Sequence, residues 1–553
     1  MFLTQLHADI REMTMTFATT QGANHAALTP LSFLRRSAEI YPDKEAIIYG
    51  RRRHTYREFR VEVERLALAI RAAISPGDRV AFLAPNVPEL LLAHFAVPLA
   101  GGILVAINSR LARDEVITIL DHSDARLLFV DSEYSASVRG LAETCPALDT
   151  IIEIIDEEFG HGAGEAGHTP LEVMLARTAT TTDPLRWEID DENSVITINY
   201  TSGTTGNPKG VMYTHRGAYL NALGEAHHTR LADDSTFLWT LPMFHCNGWC
   251  MPWAVTAAGG AHVCLRAVRS EPIWRAIDDL NVTHLCGSPT VCSTIANAPE
   301  AHRIDRPLRI TTAGAPPTPS MLEHLEAMGI QVVHVYGLTE AYGPYTVCEY
   351  QPAWDSLSPD SRARMVSRQG VAMVQAEPVR VVDEAMNDVP RDGEALGEIL
   401  LRGNNVMLGY FKDEDATNAA FAGGWFHTGD LGVMHPDGYI ELKDRAKDII
   451  ISGGENISTV EVEAAISSHP AVLDVAVVGF ASERWGERPK AYVLLRPGRA
   501  VNESSLLEHA RGTIARFKVP DYVVFVDTLP RTATGKVTKA ALRALDDVPA
   551  PRT

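Results

Sequence analysis

The chain has 553 residues, 46% hydrophobic and 22% charged, with a formal net charge of −20. That length exceeds what a single hydrophobic core supports and sets an expectation of roughly two to four domains or subdomains in a globular protein. The negative charge argues against nucleic acid or an anionic membrane surface as partner, and it means that an anionic substrate needs local Lys and Arg.

Seven cysteines, an odd number with no C-x-x-C pair, make neither a disulfide framework nor a zinc site and fit a reducing cytoplasm. The N-terminus has no basic–apolar–small signal pattern. Met1, Met13 and Met15 are alternative starts, and the first dozen residues are either a misassigned start or a loose arm.

In chain order, Thr55-Tyr56-Arg57-Glu58 is a capping box opening an amphipathic run to about Ile74. Strand-like 79–83, helix-like 89–97 and strand-like 103–107 and 126–130 follow. This alternation predicts an α/β architecture with largely parallel sheets. The most apolar stretch, Val80 to Ile107, is broken by Pro85, Asn86, Pro88, Glu89 and Pro98, which excludes a membrane span. Residues 157–185, rich in Gly, Thr and acids, read as a surface excursion, and Pro378 to Tyr410 reads as β-rich. From Asp444 the text becomes charged and then glycine-rich. A boundary there gives a domain of residues 1–444 and a small α+β domain of residues 445–553.

The densest chemistry lies in Tyr200–Gly210, YTSGTTGNPKG, after the β-branched run Val195–Asn199. Three glycines let the backbone close on a ligand, while hydroxyls, bare N–H groups and Lys209 suit phosphate oxygens. Pro208 and Gly210 stand where a Walker A loop needs Gly and Ser or Thr, so it is not that loop. The stretch closely resembles the phosphate loop of the adenylate-forming enzymes, which include acyl-CoA synthetases, peptide-synthetase adenylation domains and firefly luciferase. The resemblance runs from about Leu31 to Lys536.

It implies a large multi-subdomain α/β N-terminal domain and a small mobile lid, with ATP, Mg²⁺ and CoA as cofactors. It also implies roles. Thr201, Ser202, Gly203, Thr204, Thr205, Gly206 and Lys209 hold the β- and γ-phosphates. Gly314, Ala315 and Pro316 form one wall of the adenine slot, and Tyr336 with Gly337 the other. Thr339 sits near the α-phosphate, and Glu340 holds Mg²⁺. Asp430 and Arg445 take the ribose, and Lys447 is the hinge. Gly453 and Gly454 pass the pantetheine arm, and Lys536 stabilises charge at the attacked phosphorus. Lys536 is also a candidate for control by acetylation.

The segment Leu241–Trp249, LPMFHCNGW, separates branches. Amino-acid-activating domains carry Asp after the Phe; here His245 stands there, which resembles the acyl-CoA synthetase gate between carboxylate site and CoA channel. Trp239, Phe244, Gly248 and Trp249, with Met251 and Trp253, are the candidate acyl pocket. Residues 347–371 resemble the branch of plant acyl-activating enzymes and bacterial methylmercaptopropionate-CoA ligases. The expectation is an ATP-dependent acid–CoA ligase, cytoplasmic, for a short- or medium-chain or small aromatic acid, with a homodimer allowed. The rival readings are an enzyme that loads a separate acyl carrier protein, a luciferase-like oxygenase and a non-catalytic nucleotide-binding relic.

Overall fold

In the computed structural model the alternating segments close into two large sheets with helices on their faces. The structure describes residues 24–162, 168–178, 184–201, 208–315, 317, 319–445, 447–452, 455–482, 484–531 and 537–546. The alternative starts Met1, Met13 and Met15 lie outside these residues.

The first sheet has eight strands and is parallel through its centre. Arg79–Leu83 pairs with Ile103–Ala106 on one side and Ala125–Asp131 on the other, and Val195–Thr201 joins beside Ile103–Ala106. Helix Pro88–Leu99 connects two of these strands and is buried all round except at Glu89, as a helix sandwiched between sheets must be. The capping box at Thr55 forms as expected: its side chain accepts from Glu58 N–H, and Glu58 returns to the Thr55 N–H. Residues 157–185 do more than skirt the surface. Thr169–Pro170 adds an edge strand, and helix Leu171–Arg177 turns Met174 and Leu175 into the core against helix Tyr56–Arg71.

The second sheet has nine strands. Its parallel centre runs through Thr236–Leu238, His284–Gly287, Leu308–Thr312 and Ile330–Leu338, and Gly343–Val347 then returns antiparallel. Arg266, just past strand Ala261–Val263, reaches across to the first sheet. It pairs with Asp131 and with Asp156, at 2.6 Å from the latter, so the two sheets are tied by a nearly buried cation between carboxylates. A third, four-stranded antiparallel sheet contains Gly397–Leu401, Phe426–Met434 and Ile440–Arg445.

Beyond Arg445 a separate core forms around strands Val472–Ser482 and Gly486–Leu495, helix Thr459–Ser467 and helix Glu503–Arg511. That last helix ends at Arg511, before Gly512, a residue type that disfavours helix. Asp444 joins the two regions. Its Oδ2 accepts from Thr459 N–H and Thr459 Oγ1, both at 2.6 Å, at the first turn of helix Thr459–Ser467.

Five histidines are built into this interior as neutral rings. Burial lowers His94, His215, His284 and His334 to about 4 and His262 to about 3. A depressed folded-state value gives stability that is complete above the unfolded value of about 6.5 and is lost as pH falls towards the folded one. The melting temperature is therefore expected to be flat from pH 8 to 7 and to drop steadily between pH 6.5 and 4. A plateau persisting to pH 4.5 in a thermal-melt series would contradict this.

Candidate active site

The expected phosphate loop is flanked by two paired strands. Strand Val195–Thr201 pairs antiparallel with Lys209–Thr214, with Thr201 opposite Lys209 and Tyr200 opposite Gly210. Ser202, Gly203, Thr204, Thr205 and Gly206 lie outside the described residues. Lys209 is placed by Tyr410: its Nζ stands over the phenol ring at 4.5 Å. The same Tyr410 donates its hydroxyl proton to Glu340 Oε1 at 2.9 Å. One tyrosine, distant in sequence from both, thus sets the lysine and the carboxylate side by side.

Glu340 lies in the 3₁₀ turn Thr339–Ala341, just past strand Ile330–Leu338. That strand carries Tyr336 and Gly337. Burial raises the Glu340 carboxyl above its ordinary value, and the Tyr410 hydrogen bond and the charges of Arg445 and Lys209 only partly offset this. Gly337 has a packing reason of its own: a Cβ there would stand 1.8 Å from Gly343 O on the returning strand. Tyr336 is buried and donates to Asp430 Oδ2 at 2.8 Å. Arg445, opposite Asp430 in the strand register, brings its Nε to 3.4 Å from Asp430 Oδ1. Asp430 is thereby a buried acceptor fixed by a phenol and a guanidinium. The left-handed Gly429 and the Thr428 hydroxyl, which accepts from Asp430 N–H at 3.0 Å, shape the turn that presents it.

Gly314 and Ala315 follow strand Leu308–Thr312 and are exposed, and Gly314 needs its glycine for φ +93. Pro316, Gly453, Gly454 and Lys536 lie outside the described residues. Lys447 is exposed in the turn after Arg445, beside Asp448, which Arg543 holds at 2.7 Å.

The acyl side is built on a left-handed turn. Cys246, Asn247, Gly248, Trp249 and Cys250 all have positive φ, between +39 and +61. Four of them carry side chains, so the turn costs on the order of several kcal/mol in backbone strain. Asn247 offsets it. This fully buried residue donates its N–H to Asn199 Oδ1 at 3.0 Å, accepts from Thr197 Oγ1 at 2.6 Å, and sets its amide 3.3 Å from His94 Nε2. Close contact finishes the arrangement: a Cβ on Gly248 would lie 2.8 Å from the Trp239 ring, and one on Gly343 2.7 Å from Trp249.

His245 caps this turn and is half-buried, with the Cys246 Sγ 3.9 Å from its ring nitrogens. Phe244 is buried beside it. Cys246 Sγ also lies 3.3 Å from Thr339 Oγ1, and burial pushes its thiol up to about 12. The Cys246–Thr339 contact joins the two halves of the site. Trp239 and Trp253 are fully buried and hydrogen-bonded, to His262 Nδ1 and His94 O respectively, so they form the support beneath the turn.

Sequence reading missed three contributors. Tyr410 stands alone between turn residues. Tyr213 donates to Thr339 O at 2.6 Å and stacks on Tyr342 at 3.9 Å, yet each sits in a strand or turn with no motif around it. Asn247 was read only as part of the LPMFHCNGW segment, and its left-handed φ of +39 was the one property an Asn could have suggested.

Comparison with known proteins places the chain in a family. The AMP-binding enzyme family model matches residues 34–411, and its C-terminal domain model matches residues 461–536. The chain belongs to the AMP-binding enzyme family. Acetate–CoA ligase CCL3 of Humulus lupulus is 43% identical over 544 residues, covering 94% of this chain and 95% of that enzyme. A peroxisomal benzoate–CoA ligase of Arabidopsis thaliana is 40% identical over 543 residues, covering 94% and 93%. Among solved structures, ATP-bound MatB from Rhodopseudomonas palustris superposes with a TM-score of 0.80 at 26% identity, covering 93% of this chain and 98% of that one.

Removing the Asn247 side chain takes away the buried acceptor of the Thr197 hydroxyl and the contact with His94, leaving the Asn247 N–H bond to Asn199 as the tie to that strand. Asn247→Ala is expected to cost about 2–4 kcal/mol and to lower the melting temperature by several degrees. An unchanged melting temperature would show that the turn holds itself.

Proposed function

We infer that the protein is an ATP-dependent acid–CoA ligase. A carboxylate attacks the α-phosphate of ATP to give acyl-AMP and pyrophosphate, and the CoA thiol then attacks the acyl carbonyl and releases AMP. The observation that carries this is the 3.3 Å approach of Cys246 to Thr339, which places the His245 turn against the Glu340 turn. A nucleotide site and an acid site meet there. Relatives named as acetate– and benzoate–CoA ligases favour CoA over a carrier protein as the acceptor, and support a short-chain or small aromatic acid as substrate.

The roles follow from the chemistry of the groups. Asp430, held by Tyr336 and Arg445, can accept from both hydroxyls of a ribose diol. Lys209 and the loop it closes offset the charge of the leaving pyrophosphate. His245 stands between the carboxylate and the thiol approach. Glu340 fits a magnesium ion: it is a hard oxygen donor whose burial disfavours the bare carboxylate, so a cation beside it restores the ionised form. When bound with the triphosphate, that ion supplies charge neutralisation at the leaving phosphates.

We assign residues 1–444 to the nucleotide and acid domain and 445–553 to a lid that turns about Lys447, bringing Lys536 to the α-phosphate for the first step and Gly453 and Gly454 to it for the second. A reducing cytoplasm suits seven cysteines that are all buried as free thiols. No helix among the described residues is long and apolar enough to cross a membrane.

Pyrophosphate release across a panel of acids is expected to require ATP, with AMP and acyl-CoA accumulating when CoA is present. Turnover indifferent to CoA and strong with an acyl carrier protein would replace the ligase reading. Lys536→Ala is expected to lose roughly a hundredfold or more in adenylation while still forming thioester from supplied acyl-AMP. Equal loss in both half-reactions would remove the lid assignment.

A further inference from the structure

Helix His215–Thr229 carries two polar side chains into the interior on one face, Asn221 and Glu225, both with 0% exposure. Neither carboxyl oxygen of Glu225 has a hydrogen-bond partner among the described residues, and the same holds for Gln375 Oε1 and Asn405 Oδ1. With Asn221 these residues are one cluster. Gln375 Nε2 donates to Asn221 Oδ1 at 2.8 Å, and Asn405 Nδ2 to the same oxygen at 3.3 Å. A Cβ on Gly224, beside Glu225, would stand 2.0 Å from Gln375 Oε1. Burial, and with it nearby Glu225, raises the thiols of Cys250 and Cys286.

The cluster lies next to the acyl side of the site. Cys250 closes the left-handed turn that His245 opens, and Cys286 is the penultimate residue of strand His284–Gly287, at the end of the sheet that leads to the site. The N-cap of the same helix meets Tyr342, whose hydroxyl accepts from Thr214 N–H at 2.7 Å, and Tyr342 stacks on the Tyr213 that holds Thr339. Asn221 stands roughly 10 Å along the helix from that cap.

Buried polar atoms are satisfied in nearly all native proteins. Four unmet atoms in one place are hydrogen-bonding capacity open to a polar group of the substrate. Burial holds Glu225 well above the ordinary carboxyl range, so it is a neutral acid with one O–H to give and one oxygen to accept. The unmet donor is then Glu225 O–H. The unmet acceptors are Glu225, Gln375 and Asn405 oxygens. A methyl group satisfies none of them; a hydroxyl gives one proton and accepts another.

We propose that Asn221, Glu225, Gln375 and Asn405 form a polar end to the acyl pocket, and that the protein prefers acids whose tail ends in a hydroxyl over unsubstituted acids of the same length. The proposal rests on the acid–CoA ligase reading. It is tested by pyrophosphate release with straight-chain acids from acetate to octanoate and their ω-hydroxy counterparts, on wild type, Glu225→Gln and Glu225→Leu. At one chain length the wild-type kcat/KM is expected to favour the hydroxy acid by about tenfold or more, because a site built for a hydroxyl is left unpaired by its absence. Glu225→Leu is expected to bring that ratio to one or below while unsubstituted acids still react, and Glu225→Gln to keep most of the preference.

A wild-type ratio at or below one at every length overturns the proposal, whether or not the variants fold. So does a preference that survives intact in Glu225→Leu. If unsubstituted acids react and the preference is missing, only this proposal falls; if no acid releases pyrophosphate, the ligase reading falls with it.

Discussion

The site depends on a run of backbone that proteins of L-amino acids normally avoid. Five consecutive residues, Cys246 to Cys250, turn the left-handed way, and four of them carry side chains. That conformation survives because Asn247 is buried and bonded to strand Val195–Thr201 through Asn199 and Thr197. The same strand leads into the phosphate loop. Strain in the turn after His245 is thus held by the strand that runs into Tyr200–Gly210, and neither can shift without loading the other. The glycines at 248 and 343, each closed against a tryptophan, leave the turn no room to relax.

Charge is arranged on the same economy of parts. A chain of net charge −20 binds polyanions only where cations are gathered, and the structure gathers them through aromatic hydroxyls and rings. Tyr410 serves Lys209 with its face and Glu340 with its hydroxyl. Tyr336 serves Asp430, which Arg445 approaches from the next strand. Each phenol fixes an ionisable group without adding a charge that the ligand would then have to displace.

Much of this was legible in the sequence, and the reason differs from element to element. The capping box at Thr55 and the apolar period of strands such as Arg79–Leu83 encode local structure directly, so their bounds agree closely with the fold. The segments around Tyr336 and Asp430 were read through their resemblance to the adenylate-forming enzymes, and the structure brings the two side chains together. Tyr410, Tyr213 and Asn247 were not, because their importance comes from partners tens of residues away that only the folded sheets bring together. The burial of Met174 and Leu175 was hidden by a polar neighbourhood, and Glu225 by its being an ordinary surface residue in most helices. Trp239 and Trp253 were expected in the acyl pocket; the structure places both, fully buried, under the turn.

The account's central claim is that these parts activate an acid through an acyl adenylate. Supplying a carboxylic acid labelled with oxygen-18 in both carboxyl oxygens, with ATP and CoA, and weighing the nucleotide product tests it most directly. One labelled oxygen is predicted in each AMP formed, since the attacking carboxylate oxygen stays on phosphorus when the thiol takes the acyl group. Label found in inorganic phosphate with unlabelled nucleotide would mean an acyl phosphate route and would contradict the account.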